Sequence, residues 1–216
     1  MAARGEAELR VQPLAAGEIP PEPPDVGART LSVASRLLAG GTAFFFLAFV
    51  FAYFYLRSIN EEHMWRPPHI HPDQALGAAI VACVVISAVA TVVGGRRMQA
   101  GSRGWPPIVT GALLLGLAAV ALQCIAYTVQ DFGPTNGAYA SVYCSWTALY
   151  MIAVLATMYW LETHLASELR ARRTPAAHGD FAAPDLLIAP GIDATGFYWS
   201  FLAALGVLMY VVLYLV

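Results

Sequence analysis

The stretch "LLAGGTAFFFLAFVFAYFYL", residues 37–56, runs for 20 residues without Asp, Glu, Lys, Arg or His. At 1.5 Å per helical residue, a run of that length crosses the roughly 30 Å of hydrocarbon in a bilayer. Four more runs free of those residues follow, at about 75–95, 108–127, 138–161 and 197–216. The chain of 216 residues is 58% hydrophobic and 12% charged, about half the charged fraction of a soluble domain. The pattern predicts an all-α integral membrane bundle of five transmembrane helices over residues 31–216, preceded by a disordered or extended segment, 1–30.

That leading segment, "MAARGEAELRVQPLAAGEIPPEPPDVGART", mixes both signs of charge and carries Pro20, Pro21, Pro23 and Pro24. It has no apolar h-region, so it does not read as a cleavable signal peptide. Its composition predicts an extended strap on the cytoplasmic side, with docking on a partner subunit as its sharper reading.

All 12 basic residues are arginine. With the N-terminus inside, Arg4, Arg10, Arg29, Arg36, Arg96, Arg97, Arg103, Arg170, Arg172 and Arg173 share the cytoplasmic side, and Arg57 and Arg66 lie opposite. The positive-inside rule therefore predicts a cytoplasmic N-terminus and an outer C-terminus. Net charge is -2, and no basic aromatic patch points to nucleic acid.

The connections differ in character. In "RSINEEHMWRPPHIHPDQ", residues 57–74, Pro67, Pro68 and Pro72 break helix on both flanks, and Trp65 reads as an interface anchor. "FGPTNG", 132–137, is a tight turn, which makes the third and fourth spans antiparallel neighbours. The fourth span continues as "LETHLASELRARR", with Glu168 and Arg172 spaced to support a helix. Residues 174–196, "TPAAHGDFAAPDLLIAPGIDATG", read as a proline-broken loop.

Chemistry in a bilayer interior needs ionisable or ligating side chains facing the bundle. His63, His69, His71, His164 and His178 all fall outside the five runs. The densest candidate for a metal is "HMWRPPHIHPD", with His63, His69, His71 and Asp73 in one loop; His-x-His is a ligand spacing on extended chain, but a polar, proline-stiffened loop accounts for it equally. Cys83, Cys124 and Cys144 sit one to a span, odd in number and without C-x-x-C spacing, and read as small buried hydrophobes. Neither catalytic residue, bound cofactor nor metal is expected on this chain.

Packing is more legible. Ala75, Ala79, Cys83, Ser87, Thr91 and Gly95 recur every fourth residue and read as a small-residue stripe for close helix approach, with Ile80, Val84 and Val92 on the opposite, lipid-facing side. The aromatics of the first run offer broad contact area for the core, for acyl chains or for a partner helix.

Four segments, in order, resemble subunit III of the haem–copper cytochrome c oxidases in its five-span bacterial form. "FAYFYLR" (51–57) before "WRPP" (65–68) is similar to the family's F-A-A-Y-F-x-L-R and W-P-P elements. "QCIAY" (123–127), the short turn, and "YASVYCSWTALYMIAV" (139–154) resemble Q-x-x-E-Y and Y-G-S-x-F-x-x-x-T-G-F-H-G-L-H-V. "YWSFLAALG" (198–206) resembles the closing Y-W-H-F-x-D-x-x-W. Every ionisable position of that pattern is neutral here: Thr42 and Ala126 stand for its acids, Tyr150 and Ala153 for its histidines, and Ser200 and Ala203 for its last His and Asp.

The resemblance implies a non-catalytic subunit of a bacterial aerobic respiratory chain. Such a subunit packs against catalytic subunit I and other oxidase subunits, which hold the haem and copper, and it binds membrane phospholipid. It implies packing or lipid-head contacts for Tyr127, Ser141, Thr147, Tyr198 and Trp199, and an interior without the family's polar network. Spacing alone leaves open a nitric oxide reductase or quinol oxidase as the host complex, and a free-standing transporter or sensor as another class.

Overall fold

A computed structural model of the chain describes residues 24–59, 65–68, 70–102, 104–173 and 183–216, at 24–25, 171–173 and 183–187 by their backbone only. Its elements are α1 (Pro24–Ser58), α2 (Gln74–Gln99), α3 (Trp105–Val129), α4 (Ala138–Arg173), α5 (Ala183–Tyr210) and a closing π-helical turn, Val211–Leu215. Each of the five α-helices contains a stretch long and apolar enough to cross a membrane.

Successive helices run antiparallel, and α5 is the hub, packing on α1, α2 and α4, while α3 packs on α2 and α4. Half of the most apolar stretch of α4 and of α5 is buried, against 17% in α1. The first helix is therefore the outer stave. Its Phe44 and Phe51 are 80% and 70% exposed, whereas Phe46 and Tyr53 turn inward. An apolar surface of that extent is compatible with lipid or a neighbour, not with water.

Several sequence expectations change. Helix is already present at Pro24, so residues 24–30 are not extended; residues 1–23 lie outside the described residues. Apolar runs mark where a helix meets hydrocarbon, whereas the backbone ladder continues through polar residues beyond. The fourth helix does continue past 161, reaching Arg173. The loop read at 174–196 is helical from Ala183, with Pro190 inside the helix. Proline removes one N–H from the ladder, yet Gly191 lies directly after it and admits the His164 ring of α4 so closely that a Cβ there would overlap the imidazole. Packing of α4 on α5 helps offset the lost bond.

Two turns follow their chemistry. The α3–α4 turn places Gly137 at φ 134°, a left-handed value that glycine tolerates best, and Asn136 Oδ1 accepts from Gly133 N at 2.8 Å. At the start of α2, Asp73 is the N-cap, accepting from Ala75 N and Leu76 N at 2.8 and 3.0 Å.

Candidate functional site

The site is an arrangement of interhelical contacts. In α4 the inward face is set by helical period: Tyr139, Tyr143, Trp146, Thr147, Tyr150, Val154, Met158, Leu161 and Leu165 are all buried. Their spacings of three and four keep them on one side, so the tyrosines and tryptophan of 139–150 form an aromatic spine. Tyr139 and Tyr143 stack at 6.2 Å, and Phe49 of α1 stacks on Trp146 at 5.9 Å.

Polar atoms on this spine make helix-to-helix bonds. The Tyr127 and Thr147 hydroxyls pair at 2.6 Å, joining α3 to α4. Tyr139 donates to the Leu213 carbonyl at 2.6 Å, and Tyr143 pairs with Tyr214 at 2.8 Å, anchoring the C-terminal turn. Tyr150 donates to the Leu202 carbonyl at 2.8 Å. In α5, Tyr198 pairs with Thr42 of α1 at 3.0 Å. Trp199 Nε1 donates to Ser87 Oγ at 3.0 Å, and that hydroxyl donates onward to the Ala112 carbonyl at 2.6 Å. One chain of two bonds thus ties α5, α2 and α3.

The described interior is laced with neutral polar groups that bond helix to helix. Of the predicted contact residues, Thr147 and Trp199 are fully buried and Tyr198 is 6% exposed, so their polar atoms serve helix pairing rather than lipid heads. Ser141 bonds within its own turn, donating to the Gly137 and Pro134 carbonyls. The positions that stand for ionisable residues separate as well. Thr42 and Tyr150 join helices, Ala126 and Ala203 are buried, Ala153 is half-buried, and Ser200 is exposed and donates to the Gly196 carbonyl.

The predicted stripe holds for half its length. Ser87, Thr91 and Gly95 are buried and Cys83 half-buried, but Ala75 and Ala79 are exposed, while Ile80 and Val84 are buried rather than lipid-facing. Four residues turn a helix by about 400°, so an every-fourth-residue row drifts about 40° per step and winds off the contact. The actual contact row is Gly77, Ile80, Val84, Ser87, Ala88, Thr91, Gly94 and Gly95. Its glycines admit Tyr214, Val109 and Ile192 against the backbone.

In the 59–73 connection, Trp65 is 7% exposed, packing edge-on against Tyr53 and Tyr139 at 5.1 and 5.8 Å instead of facing an interface. The Arg66 guanidinium stacks 4.6 Å from the Tyr139 ring centre and donates to the Ile70 carbonyl at 2.9 Å. Its other arm meets His71 Nδ1 at 3.1 Å; since arginine only donates, that nitrogen accepts. Asp73 is spent on its helix cap, and His63 and His69 lie outside the described residues. The described histidines do not converge: His71 is at the α2 N-terminal end of the bundle, and His164 is at the opposite end against Gly191 and Trp160. Cys83, Cys124 and Cys144 are free.

What sequence reasoning missed was the tyrosine spine and the Ser87–Trp199 link. The spine had a signal: Tyr139, Tyr143 and Tyr150 fall at i, i+4 and i+11, one side of a helix. The link had none, because its partners are 112 residues apart.

Three of the surface grooves formed by the described residues lie along α1, α2, α4 and α5. One, about 470 Å³, lies between α1 and α4 and is bordered by Thr42, Phe45, Ala153 and Tyr198. The other two adjoin along α2 and α5 and share Val92, Arg96 and Ser200. Compared with known protein families and with characterised proteins, the chain finds no match.

Proposed function

We propose that this chain is a non-catalytic, subunit III-like component of a haem–copper terminal oxidase in the bacterial plasma membrane. It packs against catalytic subunit I, holds phospholipid at the interface, and leaves electron transfer and oxygen reduction to haem and copper in that partner. The observation that carries the reading is the fate of the resembling positions: Thr42, Tyr127, Thr147, Tyr150, Tyr198 and Trp199 all act as helix-to-helix hydrogen-bonding groups in one bundle. Residues committed to each other in this way keep a shape; they are not poised for proton or electron transfer. The exposed aromatics of α1 supply a surface for a neighbouring subunit. His71 and His164, at opposite ends of the bundle, do not jointly offer axial ligands.

The test is affinity purification of the tagged full chain from its own membranes in mild detergent, followed by an optical spectrum and subunit stoichiometry. A haem spectrum with this chain at one copy per oxidase supports the assignment. Repeated recovery without any haem–copper enzyme rejects it.

A further inference from the structure

At the end of the bundle that carries Arg36 and Arg170, α2 and α5 part to leave a groove of about 300 Å³. Gly95 lies against Ile192, and Gly196 against Thr91 and Val92, so Arg96 and Asp193 stand at one level on its two walls, both exposed. Phe197 lines it too, and the Arg36 guanidinium of α1 lies 6.0 Å from that ring's centre. Arg97, exposed, follows Arg96 on α2. Among the described residues no side-chain hydrogen bond or ion pair engages Arg96 or Arg97. Three arginines thus outnumber one carboxylate at this groove and its rim. Residues 11–23, "VQPLAAGEIPPEP", carry Glu18 and Glu22 and no base. They precede α1, whose Thr42 pairs with Tyr198 of α5. Those two helices run the same way, so six residues back Arg36 is level with Ile192, and α1 extends 12 residues further, about 18 Å, to Pro24. Polyproline conformation rises about 3.1 Å per residue, so the six steps from Pro24 back to Glu18 cover about 19 Å. Arg36 on Phe197 sets α1 beside the groove, and little sideways reach is needed.

We propose that the chain's own N-terminal strap docks in this groove: Glu18 pairs with Arg96, Ile19 fills the space against Val92 and Phe197, and the proline-rich residues 20–24 are the spacer that returns from α1. Three observations converge on that occupant. The groove is net basic and the segment acidic. The spacer is as long as the projecting part of α1. And α1, which packs on α4 and α5, makes no substantial contact with α2, so a strap from α1 to Arg96 closes the bundle at the one flank its helices leave open there. An exposed ion pair holds separate molecules weakly. A short tether raises the effective concentration of the segment to the millimolar range, and Pro20, Pro21, Pro23 and Pro24 reduce the freedom lost on docking. An acidic segment of another protein has neither advantage. The inference is independent of the oxidase reading.

The experiment uses the full chain in its own membranes, with the photo-crosslinker benzoylphenylalanine in place of Ile19 and the products mapped by mass spectrometry. Crosslinks form to residues 91–96 or 192–200 of the same chain, and when isotopically light and heavy copies are expressed together they never join one to the other. Arg96→Glu lowers the yield about fivefold, the scale of an exposed ion pair, and Glu18→Arg added to it restores the yield. That rescue separates a broken pair from a misfolded chain. Ser200→Trp, at an exposed groove position, fills the space and abolishes the crosslink. Glu6→Gln, the loss of a negative charge 12 residues earlier in the segment, changes nothing. The proposal is overturned if position 19 labels lipid, a second copy or another polypeptide instead, if Arg96→Glu leaves the yield intact or is not rescued by Glu18→Arg, or if Glu6→Gln acts as strongly as Arg96→Glu.

Discussion

At the residue scale, Ser87 shows how little room the interior leaves for substitution. Its single hydroxyl accepts from Trp199 and donates to the Ala112 carbonyl, with the serine and tryptophan side chains wholly buried. Hydrogen bonds between membrane helices average about 0.6 kcal/mol and reach about 1.7 kcal/mol. A double-mutant cycle of Ser87→Ala and Trp199→Phe, read by reversible unfolding in mixed micelles, returns a coupling in that range. Strict additivity would mean the two side chains do not communicate. Glycines give a second contrast. A Cβ at Gly94 runs into Val109 and one at Gly116 into Met158. Valine is stiff at χ1, whereas methionine has three torsions to yield with. Gly94→Ala therefore costs about 1–3 kcal/mol, the range of overpacking, and Gly116→Ala clearly less, as thermal midpoints in detergent will show; the reverse order would contradict this packing.

At the element scale, helix ends are decided by local polar chemistry that hydropathy does not register. Asp73 accepts two backbone N–H groups at the start of α2, and Asp73→Ala is expected to lower stability by about 1 kcal/mol, with Asp73→Asn close to wild type because asparagine caps equally well. Equal losses from both variants, measured by the same unfolding assay, would show that the charge and not the cap matters. Between α3 and α4, Tyr127→Phe and Thr147→Val each remove one hydroxyl of the 2.6 Å pair; each lowers the melting point slightly, and the double variant falls no further than the larger single loss plus its packing change. Pro190 belongs to this scale too. A proline in the sequence reads as a stop, yet α5 continues through it because the glycine that follows lets α4 approach.

For the whole molecule, five successively antiparallel helices put Pro24 and Leu215 at opposite ends of the bundle. Arg36, Arg96, Arg97 and Arg170 collect at one end of the bundle and Arg57 and Arg66 at the other, where Arg57 donates to the Val216 carbonyl at 2.7 Å. By the positive-inside rule the arginine-rich end is expected in the cytoplasm. Reporter fusions check it: a cytoplasm-active reporter works at residue 1 and not after Val216, and an export-dependent reporter does the opposite.

The sequence by itself determined that there are five spans, roughly where each lies, and that the α3–α4 turn is tight, because hydrophobic run length and turn residues are local properties read one segment at a time. It carried the aromatic spine of α4 in its spacing as well. Only the tertiary structure decided which face of α2 is inside, that Trp65 turns inward, that residues 183–196 are helical, and that Ser87 meets Trp199. Those outcomes depend on where a second helix stands, and the energy of contact between distant segments leaves no mark on either segment alone.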